Sequence, residues 1–256
     1  MNKIIIIVIS AFLFSCNQKN KIKNRITEKP TICILGGTPS TKEVLELVPD
    51  SIKNSYNFIS FNRPGYGGTE NSTFTKEKLI KLAKDAGLKE NDFGIIGISG
   101  GAPLAILIAS ELKLKHLGVV CGMVTGDAYF KHADSTITKN IMEAAIKPYQ
   151  DFDKTVATFP NIKAIVDQAG AKNEKTAIRA CYDELNYILS KEFSKSLTDK
   201  SITIDWWHAE NDKNVTLQSA KEFLKDYKNS NLNIIPNADH NINSIEYIGK
   251  IIRSWE

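Results

Sequence analysis

The 256-residue sequence predicts an α/β fold, a mostly parallel sheet of about six strands with helices on both faces. Three observations carry that expectation. From Thr31 to about Thr125, short apolar runs alternate with segments whose apolar residues recur at helical spacing. The runs are continuous rather than alternating polar and apolar, as befits strands covered on both faces. After about residue 199 the same alternation resumes and continues to the C-terminus. Composition agrees: 42% of the residues are hydrophobic and 24% charged, which excludes collagen-like, disordered and multi-span membrane classes. A chain of this length can bury a large core without covalent staples.

The first fifteen residues read as an export signal. Met1 to Ser15 holds one cation, Lys3, then the unbroken apolar run Ile4 to Ile9 and Ser-Ala-Phe-Leu-Phe-Ser before Cys16. About ten apolar residues are too few to cross a hydrocarbon layer of roughly 30 Å, which needs about 20 as a helix. Leu13-Phe14-Ser15-Cys16 resembles the lipobox of bacterial lipoproteins. That resemblance implies lipidation of Cys16, which becomes the new N-terminus, and an exported protein anchored to a cell-envelope membrane. An ordinary cleaved signal peptide is the alternative. Residues 16–30 form a basic tether, with Lys19, Lys21, Lys23, Arg25 and Lys29 against Glu28. Together with Lys3 they account for more than the chain's whole net charge of +4, so the body from residue 30 onward carries −1. A nucleic-acid partner is therefore not expected, because phosphate binding needs a basic face on the folded domain itself.

Thr31 to Leu35 is the first expected strand, stopped by Gly36-Gly37. A helix is expected from about Ser40 to Leu47, opened by a capping box of Ser40 and Glu43. Asn57 to Phe61 is the second strand, and the turn-rich Asn62-Arg-Pro-Gly-Tyr-Gly-Gly-Thr69 follows it. Thr75 to Ala86 has helical spacing in Leu79, Leu82, Ala83 and Ala86, with Gly87 as its stop. Phe93 to Ile98 is a strand, Ala102 to Leu112 a helix, and His116 to Gly122 another strand. Residues 126–198 then hold only amphipathic segments, among them Ile137 to Ile146, Asn161 to Ala169 and Ala177 to Leu189. They are expected to form a helical cap inserted between the two parts of the core, 31–125 and 199–256. The core resumes with a strand at Ile202 to Trp207, a helix near Leu217 to Tyr227, a strand at Leu232 to Pro236 and a last helix from Ile242 to Trp255. Sites in such sheets lie beyond the carboxyl ends of the strands, where this cap would sit.

Chemistry-bearing residues gather at those strand ends. Gly97-Ile98-Ser99-Gly100-Gly101 follows a strand and opens a helix, the context of a nucleophile elbow. A sharp strand-to-helix turn exposes the Ser99 hydroxyl only if its neighbours are small. A phosphate-binding loop is the competing reading, but no Gly-Lys-Ser/Thr and no Gly-x-Gly-x-x-Gly accompanies the motif. A serine hydroxyl needs a base. Of the four histidines, His116 opens a strand at its amino end, His132 falls in the cap, and His208 ends a strand before an acidic loop. His240 follows the last strand at its carboxyl end and is the preferred base. The carboxylate that orients it comes from the loop after the strand at 202–207, with Asp212 preferred, Glu210 second and Asp239 third. No Cys-x-x-Cys and no Cys/His cluster is present, so neither a metal nor a cofactor is expected. Cys33, Cys121 and Cys181 read as apolar packing residues.

Gly97 to Gly101, the Asn62 to Thr69 turn, the Asp212 loop and His240, with Ser, Asp and His in that chain order, resemble an α/β-hydrolase of the capped, single-domain type over residues 31–256. The resemblance implies a serine hydrolase in which the N–H groups of Thr38 and Gly100 form an oxyanion hole. Gly36 stands where that family often has a histidine, and of the two antiparallel strands usual before the strand at Thr31 only the polar, basic segment Asn17 to Pro30 stands in place, so six strands are expected. Relatives that open epoxides or dehalogenate use an aspartate nucleophile, against which Ser99 argues. The expected activity is hydrolysis of a carboxylic ester through an acyl-enzyme, on a small-molecule substrate. An amidase or peptidase with the same three residues, and a catalytically silent binding protein, are the alternatives. The cap aromatics Tyr129, Phe130, Tyr149, Phe152, Phe159, Tyr182 and Tyr187 are expected to pack the cap or to line an acyl pocket. To the 63–68 turn no chemistry is assigned.

Overall fold

A computed structural model describes residues 29–133, 136, 161–242 and 244–256. The signal, most of the tether with Cys16, the 137–146 segment and the aromatics Tyr149, Phe152 and Phe159 lie outside the described residues. Six parallel strands form one sheet: β1 (Thr31–Leu35), β2 (Asn57–Ile59), β3 (Gly94–Ile98), β4 (His116–Val120), β5 (Asp205–Ala209) and β6 (Asn231–Ile235). Their spatial order is β2-β1-β3-β4-β5-β6. The chain leaves β1 toward one edge and leaves β3 toward the other, so the loops after these two neighbours diverge and open a crevice.

Side chains alternate across the strands into two cores. Ile32, Ile34, Ile96 and Val120 face α1 (Asp50–Lys53) and the last helix, while Cys33, Leu35, Ile95, Leu117 and Val119 face the other layer. That second layer includes α2 (Lys76–Asp85) and α3 (Gly101–Leu112). Helix α3 is apolar nearly all round because it is buried, with ten of its twelve residues inaccessible. Thr75 caps α2 by accepting the N–H of Lys78.

Between β4 and β5 the described residues form helices only: α4 (Gly126–His132), α5 (Ile162–Ala169), α6 (Glu174–Leu189) and α7 (Lys191–Ser196). The fold closes with α8 (Leu217–Leu224) between β5 and β6 and α9 (Ser244–Ser254) after β6.

Three expected elements differ. The helix expected over 40–47 is a 3-10 helix over Lys42–Leu47, and the Ser40–Glu43 capping box does not form. The backbone there is pulled elsewhere: Ser40 Oγ donates to the Thr41 carbonyl, and the Lys42 N–H donates to Asn62 Oδ1 at 2.7 Å. Strand β2 pairs over three residues only, leaving Ser60 and Phe61 outside the ladder. Strand β5 starts three residues later than expected, because Asp205 to Trp207 are the residues that pair with Gly118 to Val120 of β4. It also ends later, at Ala209, where His208 and Ala209 pair with Ile234 and Ile235 of β6, so His208 lies inside the strand.

Candidate active site

Ser99 takes the first position after β3 with φ +47°, a left-handed conformation that a non-glycine residue holds only when its surroundings impose it. Backbone bonds do so here. The Ser99 N–H donates to the Val120 carbonyl at 3.0 Å, and its carbonyl accepts from Ala102 N at 3.0 Å and Met123 N at 2.8 Å. Two glycines make the turn possible by close approach. A Cβ on Gly97 would lie 2.6 Å from Ala102 Cα, and a Cβ on Gly100 would collide with the Thr38 side chain and stand 3.0 Å from Thr38 N. Thr38 and Gly100 are thus brought together across the crevice between β1 and β3. Neither of their N–H groups donates to another described residue.

His240 and Asp212 arrive from the far side of the sheet. The loops after β5 and β6 are stitched together, with Glu210 N donating to the Ile235 carbonyl at 2.9 Å and Asn211 N to the Ala238 carbonyl at 2.8 Å. Ser99 Oγ lies 3.0 Å from His240 Nε2, and His240 Nδ1 lies 2.7 Å from Asp212 Oδ2. Asp212 is buried, and its other oxygen accepts the N–H groups of Asn214 and Val215 at 2.9 Å each. A buried carboxylate is tolerable only when so satisfied. With the Nδ1 proton held on that carboxylate, the Nε2 lone pair faces the serine hydroxyl. The other two acids do different work: Glu210 accepts the Asn237 N–H, and Asp239 accepts the Asn241 N–H in the turn around His240.

His116 is stacked on Trp255 at 5.1 Å near the amino end of β4, and His132 ends α4, 3.7 Å from Glu222. Among the described residues, no group of three or more His, Cys, Asp or Glu is placed to hold a metal. Cys33, Cys121 and Cys181 are free and buried, and burial pushes the Cys121 and Cys181 thiols up to about 12. No nucleophilic thiolate forms from such groups near neutrality.

Two contributors escaped sequence reasoning. His208 is fully buried, accepts the Trp206 indole N–H on Nδ1 at 3.0 Å, and makes a 2.7 Å bond from Nε2 to the Val215 carbonyl. Its Nε2 also lies 3.6 Å from Asp212 Oδ2. Burial, above all, lowers its pKa, so it is a neutral prop beneath the acid loop. Arg63, to which no chemistry was assigned, is buried and donates from Nη1 and Nη2 to the carbonyls of Gly36 and Gly37 at 2.7 and 2.5 Å. A signal for Arg63 existed: it is one of four arginines in a chain with 29 lysines, set alone in a glycine-rich turn.

No protein-family model matches the sequence, and no curated protein matches it either. Solved structures do. An enol-lactonase from Burkholderia xenovorans superimposes with a TM-score of 0.60 at 12% identity, covering 90% of this chain and 92% of the other. A haloalkane dehalogenase from Bradyrhizobium elkani gives 0.69 at 12% identity, over 90% of each chain. An α/β hydrolase enzyme from a Medee basin deep-sea metagenome library gives 0.61 at 15% identity, over 90% of this chain and 88% of the other. With a parallel six-stranded sheet, helices on both faces and a helical insertion before the last two strands, this chain has the α/β-hydrolase fold.

Proposed function

We propose that the protein is a serine hydrolase that cleaves a carboxylic ester of a small molecule through an acyl-enzyme. The observation that carries this reading is the unbroken relay from Ser99 Oγ through His240 to Asp212, at 3.0 and 2.7 Å. Ser99 Oγ attacks the carbonyl carbon as its proton passes to His240 Nε2, and Asp212 stabilises the imidazolium. The oxyanion is received by the N–H groups of Thr38 and Gly100, donors worth about 3 to 4 kcal/mol each when preorganised. His240 then protonates the leaving alcohol, and water, deprotonated by the same histidine, releases the acid. One structural neighbour is an enol-lactonase, and a lactone is itself a carboxylic ester. A serine nucleophile argues against the dehalogenation named for another.

The test is a burst assay of the full chain with a short-chain p-nitrophenyl ester beside Ser99→Ala, together with labelling by a fluorophosphonate. A burst and labelling that vanish in Ser99→Ala, with kcat lower by on the order of 10⁶, are expected. A variant with near-normal hydrolysis would remove Ser99 from the mechanism. Turnover of anilides but not of esters would move the leaving group to an amine with the same three residues.

We further propose that residues 1–15 direct export and that a lipid on Cys16 anchors the protein to a cell-envelope membrane. Cys16→Ser is expected to move it from the membrane fraction to the soluble fraction. A wild type already soluble would favour an ordinary cleaved signal.

A further inference from the structure

The relay leaves one feature of the crevice without a role, a completely buried carboxylate supplied by the inserted segment. Glu184, on α6, is inaccessible to solvent, and its Oε1 lies 2.9 Å from Arg63 Nε. Its Oε2 accepts the Tyr66 hydroxyl at 2.5 Å, and the Thr38 hydroxyl lies beside the same carboxylate. The turn that carries Arg63 is pressed against the cap. Gly65, at φ +84°, has no room for a side chain, since a Cβ would stand 2.5 Å from that of Ala180 on α6. Gly67 N donates to the Ala169 carbonyl at the end of α5 at 2.8 Å. The guanidinium is therefore held on one edge by the cap, and with its other edge it grips the carbonyls of Gly36 and Gly37.

The second of these carbonyls matters most. The Gly37 C=O and the Thr38 N–H belong to one peptide unit, and in a planar trans peptide they point in opposite directions. Fixing Gly37 O on Arg63 Nη2 thus aims the Thr38 N–H the other way, into the crevice beside Gly100. We propose that Glu184 is a positioning residue that, through Arg63, sets the direction of the Thr38 donor, so that the cap and the oxyanion hole form one mechanical unit. The charges themselves are a poor source of stability. Replacing a buried ion pair by apolar residues of similar volume is often neutral or stabilising, whereas removing one partner strands a charge. The inference rests on Ser99 hydrolysis for its catalytic consequence, and on geometry alone for the coupling itself.

The deciding experiment compares the full-length wild type with Arg63→Met/Glu184→Leu, which removes both charges together, and with Arg63→Lys, which keeps the charge but cannot grip two carbonyls and a carboxylate at once. Four quantities are read: melting temperature, kcat and KM for p-nitrophenyl butyrate, and amide hydrogen exchange of peptides spanning residues 36–41. Expected are a lower melting temperature for the double variant, because the Gly36 and Gly37 carbonyls and the Tyr66 hydroxyl lose their partners, and kcat lower by about 10²- to 10³-fold in both variants, the scale of losing one oxyanion donor. KM should stay within about threefold, and exchange at 36–41 should accelerate. Glu184→Gln, which keeps the shape and one accepting oxygen, should fall between. A folded double variant with wild-type kcat and unchanged exchange at 36–41 would overturn the proposal and leave the pair as packing. If the double variant does not fold, Arg63→Lys and Glu184→Gln decide by the same readouts. If the wild type shows neither a burst nor fluorophosphonate labelling, hydrolysis by Ser99 fails, and the exchange readout still decides the coupling.

Discussion

Ser99, His240 and Asp212 come from loops after three different strands; Ser99 and Asp212 are fixed by backbone groups, and His240 is bracketed by its side-chain contacts to both. Anchoring the two ends in this way holds the ring between them in the free protein. His208 shows how much of the support is hidden one layer down. It is a neutral imidazole with both nitrogens engaged, and its removal orphans the Trp206 indole N–H and the Val215 carbonyl as well as opening a cavity. His208→Ala is expected to cost about 2 to 4 kcal/mol, measured by urea denaturation. The same residue fixes a pH dependence. Its folded pKa lies below the ordinary 6.5, with burial the first cause, the nearby His240 a lesser one, and the Val215 carbonyl and Asp212 opposing both. As pH falls below 6.5, the unfolded chain takes up a proton that the folded chain resists, so this component of stability is present above 6.5 and is lost on acidification. His208→Gln should flatten the decline of melting temperature between about pH 7.5 and 5.5. An unchanged slope would mean that the acid sensitivity arises elsewhere. Ser99, Asp212 and His240 were legible in the sequence because a Gly-x-Ser-x-Gly turn and two strand-end loops announce themselves locally. His208 reads from the sequence as lying just beyond its strand, since pairing with Ile234 and Ile235 of β6, invisible in one strand's composition, carries β5 on to Ala209.

At the scale of elements, the turn from β3 into α3 is the most constrained piece. A methyl group on Gly97 meets the backbone of Ala102 at 2.6 Å, and backbone cannot step aside as a flexible side chain can. Gly97→Ala is expected to destabilise the fold by about 1 to 3 kcal/mol and to slow fluorophosphonate labelling, because the strain is relieved by moving Ser99. Unaltered stability and labelling would show that the turn has slack. The elements the sequence described best are those governed by local rules, α2 with its Thr75 cap and the continuous apolar strands β1, β3 and β4. The 40–47 segment was described worst. Its capping signature was outcompeted by Asn62 and Arg63, residues some 20 positions away that take up its N–H and carbonyl groups. A local propensity worth about 1 kcal/mol yields readily to such tertiary bonds.

Over the whole molecule, the order β2-β1-β3-β4-β5-β6 places the switch point between β1 and β3, which is why Thr38 and Gly100 meet there. The described cysteines are all interior to this architecture, so native protein should leave Cys33, Cys121 and Cys181 unreactive toward an aromatic disulfide reagent until denaturant is added. Prompt reaction of any of the three would contradict their burial. By itself the sequence determined the fold class and the strand-helix alternation, and it singled out Ser99, His240 and Asp212, the residues proposed as nucleophile, base and acid. Each of these follows from periodicity over a few residues or from a motif at a strand end, and such signals need no knowledge of distant neighbours. Only the tertiary structure decided the register of β5, the refusal of the 40–47 capping box, and the buried chain from Glu184 through Arg63 to the Gly37–Thr38 peptide. Those depend on which groups meet across some 20 to 120 residues of chain. A desolvated charge or an unpaired carbonyl takes whatever partner the packed interior brings to it, and no local pattern records that choice.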